Sequence, residues 1–136
     1  MFCLIRIVSI PVDRLINEAV KYLNNAYSPY SGIKVASIVF TDRNNIYPGV
    51  NVENSSYGLT ICAERVALTS MVTNGERNPL AIVIVSNQTK PLKPCGACRQ
   101  FIAEFNPDTL VISHSTISNR TEIYYLREIF PDPFKL

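Results

Sequence analysis

Six consecutive apolar residues, Leu80-Ala81-Ile82-Val83-Ile84-Val85, constrain the fold more strongly than any other feature of this chain. Because successive side chains of a strand point to opposite faces, a strand that is apolar throughout must be covered on both faces. We therefore expect this run to be the central strand of a sheet between two helical layers. Strands and helices alternate along the middle of the chain, which is typical of a three-layer α/β/α sandwich. The 136 residues leave no room for a second domain, so residues 1–136 are predicted to form one domain.

Hydrophobic periodicity predicts the elements around the central strand. After Pro11, apolar residues recur at steps of three and four and predict an amphipathic helix that ends near residues 24–25. Two β-branched, apolar segments flank a turn-like stretch at 42–45 and predict a β-hairpin. The apolar stripe of the first helix comprises Val12, Leu15, Ile16, Ala19, Val20 and Leu23. The predicted segments are hairpin strands at 34–41 and 46–52, helices at 61–72 and 95–105, and further strands at 110–112 and 123–125. The tail at 130–134 is too rich in proline to continue a helix or strand.

Charge and hydropathy argue against nucleic acid and membrane partners. The formal net charge is +2 and the charges are scattered, so the chain has no basic surface typical of a polyanion-binding protein. No apolar run approaches the roughly 20 residues of a membrane helix. Residues 1–10 are apolar but interrupted by Arg6, and we interpret them as packed structure rather than an export signal. We therefore expect a cytoplasmic protein.

Four cysteines are present, namely Cys3, Cys62, Cys95 and Cys98. In a chain without an export signal, metal binding or redox chemistry is favoured over disulfide formation. Cys62 and Cys95 are each predicted in the first turn of a helix, where the helix dipole and free backbone N–H groups stabilise a thiolate. Cys95 and Cys98 are three residues apart and share one helical face, and Cys62 could supply a third sulfur. Three protein ligands leave a tetrahedral zinc ion with one open position for water, whose pKa then falls to roughly 7.

Glu64 follows Cys62 by two positions on a helix that is predicted to be surrounded by protein. A carboxylate there could reach a water molecule at the metal without being a ligand. Hydrolytic removal of an amino group needs protons moved from water, to a ring nitrogen and to the departing amine. Glu64 is therefore the candidate proton shuttle.

Simpler interpretations of the cysteines exist. Cys95-Gly96-Ala97-Cys98 by itself fits a dithiol redox pair as well as a metal site, and Cys62-Ala63-Glu64 favours the metal. A purely structural zinc site would need a fourth ligand. Cys3 is remote in sequence and His114 has no paired ligand, so we interpret His114 as an ordinary residue at the end of a strand.

Three motifs together are similar to those of the small, three-cysteine cytidine deaminases, whose zinc-deaminase signature combines a metal ligand, a glutamate and Pro-Cys-x-x-Cys. They are Asn51-Val52-Glu53-Asn54, Cys62-Ala63-Glu64-Arg65 and Pro94-Cys95-Gly96-Ala97-Cys98-Arg99-Gln100. The similarity runs from about residue 26 to the C-terminus. It implies zinc-dependent hydrolysis of cytidine and deoxycytidine to uridine and deoxyuridine with release of ammonia, as in pyrimidine salvage. It also implies a mixed five-stranded sheet, one zinc ion per subunit, and a homotetramer with composite active sites.

The resemblance also implies roles for individual residues. Cys62, Cys95 and Cys98 would hold zinc, and Glu64 would be the proton shuttle. Asn51 and Glu53 would bind the ribose hydroxyls, and Ala63 would offer a backbone N–H to the base. Arg65 would hydrogen-bond to the sulfurs, and Phe134 would stack over the pyrimidine in a neighbouring subunit's site.

Two positions depart from the family pattern. Ile33 stands where an aromatic residue usually lines the base pocket, and Ala36-Ser37 replaces the usual Gly-Ala. Neither change touches the cysteines or Glu64, so both bear on substrate preference more than on reaction type. The rival interpretations are a blasticidin-type deaminase, a deaminase of single-stranded nucleic acid, and a non-enzymatic zinc or dithiol module. Asn51-Val52-Glu53-Asn54 favours a nucleoside substrate, and release of ammonia from cytidine would exclude the module.

Overall fold

A mixed sheet forms the middle layer of the computed structural model, which describes residues 9–136. Within these residues the sheet has five strands in the order β2-β1-β3-β4-β5, where β3 and β4 are parallel and all other neighbours are antiparallel. This arrangement confirms the predicted α/β/α sandwich with a mixed sheet. The strands are β1 (Val35–Thr41), β2 (Ile46–Val50), β3 (Pro79–Ser86), β4 (Leu110–Ser115) and β5 (Thr121–Tyr125). The helices are α1 (Val12–Tyr22), α2 (Ala63–Thr73), α3 (Gly96–Phe105) and α4 (Leu126–Ile129).

The central strand β3 is covered on both faces, as its composition predicts. Ala81, Val83 and Val85 pack on the side of α1. Ile82 and Ile84 point the opposite way and pack with residues of α2 and α3. The alternating side chains of this one strand therefore contribute to two separate apolar layers, and helices cover each layer.

The first helix follows its predicted stripe with one exception. Leu15, Ile16 and Ala19 are buried, and Leu23 is buried in the short 3₁₀ turn Leu23–Asn25 that follows α1. Val20 lies on the predicted stripe but is 42% exposed. The apolar contact is thus narrower than the periodicity indicates.

Two helices begin later than predicted. Ile61 exchanges two backbone hydrogen bonds of 3.0 Å with Val52, so it belongs to a β-bridge and Cys62 is the N-cap of α2. Cys95 is likewise the N-cap of α3, which begins at Gly96. The prediction that Cys62 and Cys95 lie within a first turn is wrong by one residue. The short helix α4 was not predicted, because four residues are too few to show a helical period.

Residues 1–8 lie outside the described part of the chain, and so do the interpretation of the first residues as packed structure and any role of Cys3. Within residues 9–136 no helix combines the length and the apolar character needed to cross a membrane.

The direction of three strands decides where α2 and α3 begin. β2 and β3 are both antiparallel to β1, so they run in the same direction, and β4 is parallel to β3. α2 follows β2 and α3 follows β3 in the chain. Both helices therefore start beyond the carboxyl ends of parallel strands, at the same edge of the sheet.

Two contacts fix α2 against the hairpin. At its C-terminal end, the carboxylate of Glu76 accepts hydrogen bonds from Thr41 Oγ1 (2.6 Å), Asn45 Nδ2 (2.9 Å) and the Tyr47 hydroxyl. Burial alone would raise the pKa of Glu76, but these hydrogen bonds lower it overall. Near the start of the helix, Gly49 of β2 approaches so closely that a Cβ there would lie 2.5 Å from both Ala63 O and Ala67 N.

Gly49→Ala is expected to push α2 away from β2, because the added methyl group would meet backbone atoms that cannot rotate aside. We expect a loss of about 1–3 kcal/mol in the free energy of unfolding, typical of overpacking, measured by urea denaturation. Gly58→Ala is the matched control, since a Cβ at Gly58 meets no described heavy atom within 4 Å. Its effect should stay within about 0.5 kcal/mol. Equal stability of the two variants would contradict the proposed close contact.

Candidate active site

Three sulfurs converge at the edge of the sheet where α2 and α3 begin. The Sγ atoms of Cys62, Cys95 and Cys98 all lie within 4.8 Å of one another, and the Cys62 and Cys95 sulfurs are 3.9 Å apart. Cys62 and Cys95 are the N-caps of the two helices, and Cys98 is in the first turn of α3. Residues separated by 33 positions in the sequence are thus brought into contact by the two helix starts.

The backbone around the sulfurs favours negative charge. Neither N-cap side chain makes a capping hydrogen bond to its helix. The positive ends of two helix dipoles therefore face the cluster, which stabilises thiolates. A serine or aspartate N-cap would instead have used these donors for itself.

The thiols share protons unequally. A hydrogen bond from Cys98, supported by Arg65, lowers the pKa of Cys62 to about 5 despite burial. Donating that bond to the Cys62 thiolate raises the pKa of Cys98. These opposite shifts favour the thiolate form of Cys62 over that of Cys98, and metal binding must release the remaining thiol protons.

The cluster fits a zinc ion. With zinc to sulfur bonds of about 2.3 Å, tetrahedral geometry separates the sulfurs by about 3.8 Å, so the trio needs to close by about 1 Å at most. Three thiolates exceed the charge of a divalent cation by one. Arg65 lies beside them with Nη2 at 4.0 Å from Cys62 Sγ, and its buried Nε has no hydrogen-bond partner in the described chain. That unpartnered donor is consistent with a further acceptor at the cluster when the site is loaded.

Glu64 is a buried carboxyl group in the first turn of α2, with 5% of its surface exposed. Burial, together with the charge of Cys62, raises the pKa of Glu64 to about 7. It lines the same cavity as two of the sulfurs. A carboxyl group that both holds and releases a proton near neutral pH is suited to general acid and base catalysis.

The cavity at the cluster has a volume of about 200 Å³ and an opening to solvent. Its lining is mainly apolar, with a few polar groups that include Asn51, Glu64 and Cys62. Ala63 and Thr60 both line the cavity, and Thr60 also lines the adjoining cleft that contains Glu53. Apolar walls with few convergent polar groups are typical of small-molecule sites.

Asn51 and Glu53 reach this region because the bridge between Val52 and Ile61 closes the loop that joins β2 to α2. Asn51 is buried, accepts a hydrogen bond from Val35 N and donates one to Ile33 O, both at 2.8 Å. An amide has two N–H donors, so one remains for a ligand. Asn51 therefore shapes the pocket as well as lining it.

Glu53 is held by a turn that the sequence analysis did not single out. Its carboxylate accepts hydrogen bonds from Ser31 Oγ (2.5 Å), Ser31 N (3.1 Å) and Tyr30 N (2.9 Å). The hydrogen bond from the Ser31 side chain, with those from the backbone, lowers the pKa of Glu53. The nearest sequence signal is the Tyr-Ser dipeptide ahead of Ile33.

Four of the predicted site residues, Glu53, Arg65, Cys98 and Phe134, lie outside the cavity lining, and so does His114. The Phe134 side chain is 71% exposed, while its backbone N–H and C=O form two hydrogen bonds with the Gln100 side chain (3.1 and 3.0 Å). The tail is therefore fastened to α3, but the ring does not line the cavity of its own chain. His114 lies in β4 on the side of α1 and is 2.8 Å from Thr121 Oγ1, in line with its interpretation as a structural residue.

Fold and site together define a metal-dependent hydrolase, and comparisons with known proteins agree. The family described as the cytidine and deoxycytidylate deaminase zinc-binding region matches residues 11–114, which include all three cysteines of the cluster. A cytidine deaminase of Halalkalibacterium halodurans is 37% identical over 120 residues, or 88% of this chain and 91% of that protein. The chain therefore belongs to the cytidine deaminase family, its cofactor is zinc, and the three clustered cysteines could hold that ion.

Solved structures show the same fold. The 1.6 Å crystal structure of cytidine deaminase from Burkholderia pseudomallei has a TM-score of 0.87 at 36% identity and covers 92% of this chain and 100% of that one. The cytidine deaminase of Mycobacterium tuberculosis has a TM-score of 0.82 at 31% identity and covers 94% of this chain and 100% of that one.

Cys98→Ser is expected to reduce bound zinc from one ion per chain to well below half, because a serine oxygen is a poor zinc ligand at neutral pH. Elemental analysis of the purified, dialysed protein measures this ratio. Cys3→Ser is the matched control and should retain one zinc ion. Full zinc content in the Cys98 variant, or loss of zinc in the Cys3 variant, would show that the ligand set is wrong.

Proposed function

We propose that the protein catalyses the hydrolytic deamination of cytidine and deoxycytidine to uridine and deoxyuridine, with release of ammonia. The observation that carries this proposal is the buried carboxyl group of Glu64 in the same cavity as the Cys62 and Cys95 thiols. This is the arrangement that hydrolysis of an aromatic C–NH₂ bond requires. A dithiol redox pair would account for two of the three clustered sulfurs and leave the third without a role.

The protein's own residues supply binding and proton transfer. Cys62, Cys95 and Cys98 would hold the zinc ion, which would supply the Lewis acidity that lowers the pKa of water from 15.7 to roughly 7. Glu64 accepts a proton from the attacking water and delivers it to the ring nitrogen next to the reacting carbon. Glu64 then accepts the second proton of the same water, which is now the hydroxyl group on the reacting carbon, and passes it to the departing amine. The C=O bond forms as the C–N bond breaks, and ammonia leaves. The pKa of Glu64, raised toward neutrality by burial, suits both directions of transfer.

The substrate is oriented by groups at two depths. The pyrimidine ring fits the narrow apolar cavity, where Ala63 offers its backbone N–H to the base. Asn51 in the cavity wall and Glu53 in the adjoining cleft bind the ribose hydroxyls. The hydrogen bonds from Ser31 and Tyr30 keep Glu53 ionised as a hydroxyl acceptor. Arg65 stays beside the sulfurs and moderates their excess negative charge.

We further propose a homotetramer that serves pyrimidine salvage. The backbone of Phe134 is fixed by Gln100 while its ring remains exposed, so the tail is held in a position from which the ring could enter a neighbouring subunit's site. Stacking on the pyrimidine would bury part of the exposed Phe134 ring against an apolar surface.

Glu64→Ala should lower kcat by at least roughly 100-fold, because the variant loses general acid and base catalysis. The absorbance change on deamination, followed for cytidine, deoxycytidine and cytosine, measures the loss and defines the substrate range. Zinc content should stay at one ion per chain. Glu18→Ala, on α1 at the far side of the sheet, is the control and should keep normal turnover. Near-normal turnover of the Glu64 variant would exclude its role as the proton shuttle.

Phe134→Ala should raise KM for cytidine, and co-expression with Glu64→Ala should restore part of the activity if sites are composite. In mixed assemblies, a Glu64→Ala subunit still carries Phe134 and can supply the ring to a site that retains Glu64. The test compares the activity per Phe134→Ala subunit in the mixture with that of the Phe134→Ala variant alone. The Glu64→Ala variant alone gives the background. No gain in the mixture, together with a single-chain mass by sedimentation, would rule out the composite site.

A further inference from the structure

The segment 92–94 forms one wall of the metal cavity and leads directly into a metal ligand. Leu92 and Lys93 line the cavity together with Cys95. The segment contains neither helix nor strand. Its position therefore depends on individual contacts, and the position of the Cys95 sulfur depends on it in turn.

Ser113 holds this segment from beneath. Its hydroxyl is fully buried in β4 and donates a 2.7 Å hydrogen bond to the Leu92 carbonyl oxygen. The Tyr124 hydroxyl, on the neighbouring strand β5, lies 3.1 Å from the same Ser113 oxygen. Because the single hydroxyl proton of Ser113 is used on Leu92, Tyr124 must be the donor in the second bond.

Tyr124 also contacts the segment directly. The Lys93 ammonium group lies 5.9 Å from the centroid of the Tyr124 ring, within the range of a cation–π interaction. Tyr124 thus supports two consecutive residues of the cavity wall, one through Ser113 and one through its ring. Both supporting residues belong to strands of the central sheet, which is the rigid part of the fold.

We propose that Ser113 and Tyr124 are positioning residues that hold segment 92–94, so that the Cys95 sulfur meets Cys62 and Cys98 and the cavity wall keeps its shape. Neither residue touches the metal ligands through its own hydrogen bonds. The expected effect on zinc affinity rests on the observed cluster of three sulfurs, whereas the expected effect on KM for the substrate also rests on the proposed function. Groups that hydrogen-bond directly to a metal ligand typically change metal affinity by about 10–100-fold, so support given three residues from Cys95 is expected to act at the lower end of that range.

Ser113→Ala tests the proposal. Zinc affinity, measured by chelator competition without nucleoside, should fall about tenfold, and KM for cytidine should rise more than kcat falls. Ser115→Ala is the matched control, because Ser115 is also buried in β4 and donates to the same loop, at Gln88 O (2.5 Å). Gln88 lies seven residues before Cys95 and Leu92 lies three, so the control should destabilise the fold without changing zinc affinity.

Tyr124→Phe removes only the hydroxyl group and provides a milder variant if Ser113→Ala folds poorly. It should weaken zinc binding less than Ser113→Ala does. Combining Tyr124→Phe with Ser113→Ala should cause no further loss of zinc affinity, because the Tyr124 hydroxyl group acts through Ser113. Wild-type zinc affinity in both single variants, or an equal loss in Ser115→Ala, would overturn the positioning role. Since the zinc readout contains no nucleoside, an error in the proposed substrate would leave this result unchanged.

Discussion

The shared direction of β2, β3 and β4 is the constraint on which the site depends. Parallel strands place the helices that follow them at one edge of the sheet, so the positive ends of α2 and α3 meet there. Ligands in open α/β sheets are commonly bound at this edge. Gly49 then lets α2 approach β2 closely enough for Cys62 to reach the sulfurs of α3.

The two carboxyl groups of the site have different roles because their surroundings differ. Glu64 is buried beside a thiolate, which raises its pKa to about 7 and lets it exchange protons near neutral pH. Glu53 accepts hydrogen bonds from a hydroxyl and two backbone N–H groups, which lower its pKa. Pairs of acids whose pKa values are driven apart are characteristic of catalytic sites. Under the proposed function, proton transfer by Glu64 and ribose binding by Glu53 would take place in two adjoining hollows of the surface.

Much of the fold could be predicted because its elements follow local rules. The central strand was recognisable from continuous apolar character, and α1 from its stripe. The exact start of α2 was not, because the pairing of Ile61 with Val52 competes with helix formation at Ile61. α4 is too short to show a helical period, and the exposure of Val20 depends on which elements pack against α1.

The sequence by itself determined the chemistry, since three cysteines and a glutamate at these spacings admit few uses other than a metal-dependent hydrolysis. It also carried the family resemblance, because motifs of this specificity are short and contiguous. Only the tertiary structure decided which groups hold the motif residues and the segments around them. Ser31 and Tyr30 hold Glu53, Gln100 holds the tail, and Ser113 and Tyr124 hold the cavity wall. These contacts join residues far apart in the chain. Hydrogen bonding of that kind depends on the position of strands and loops in space, which spacing along a sequence does not encode.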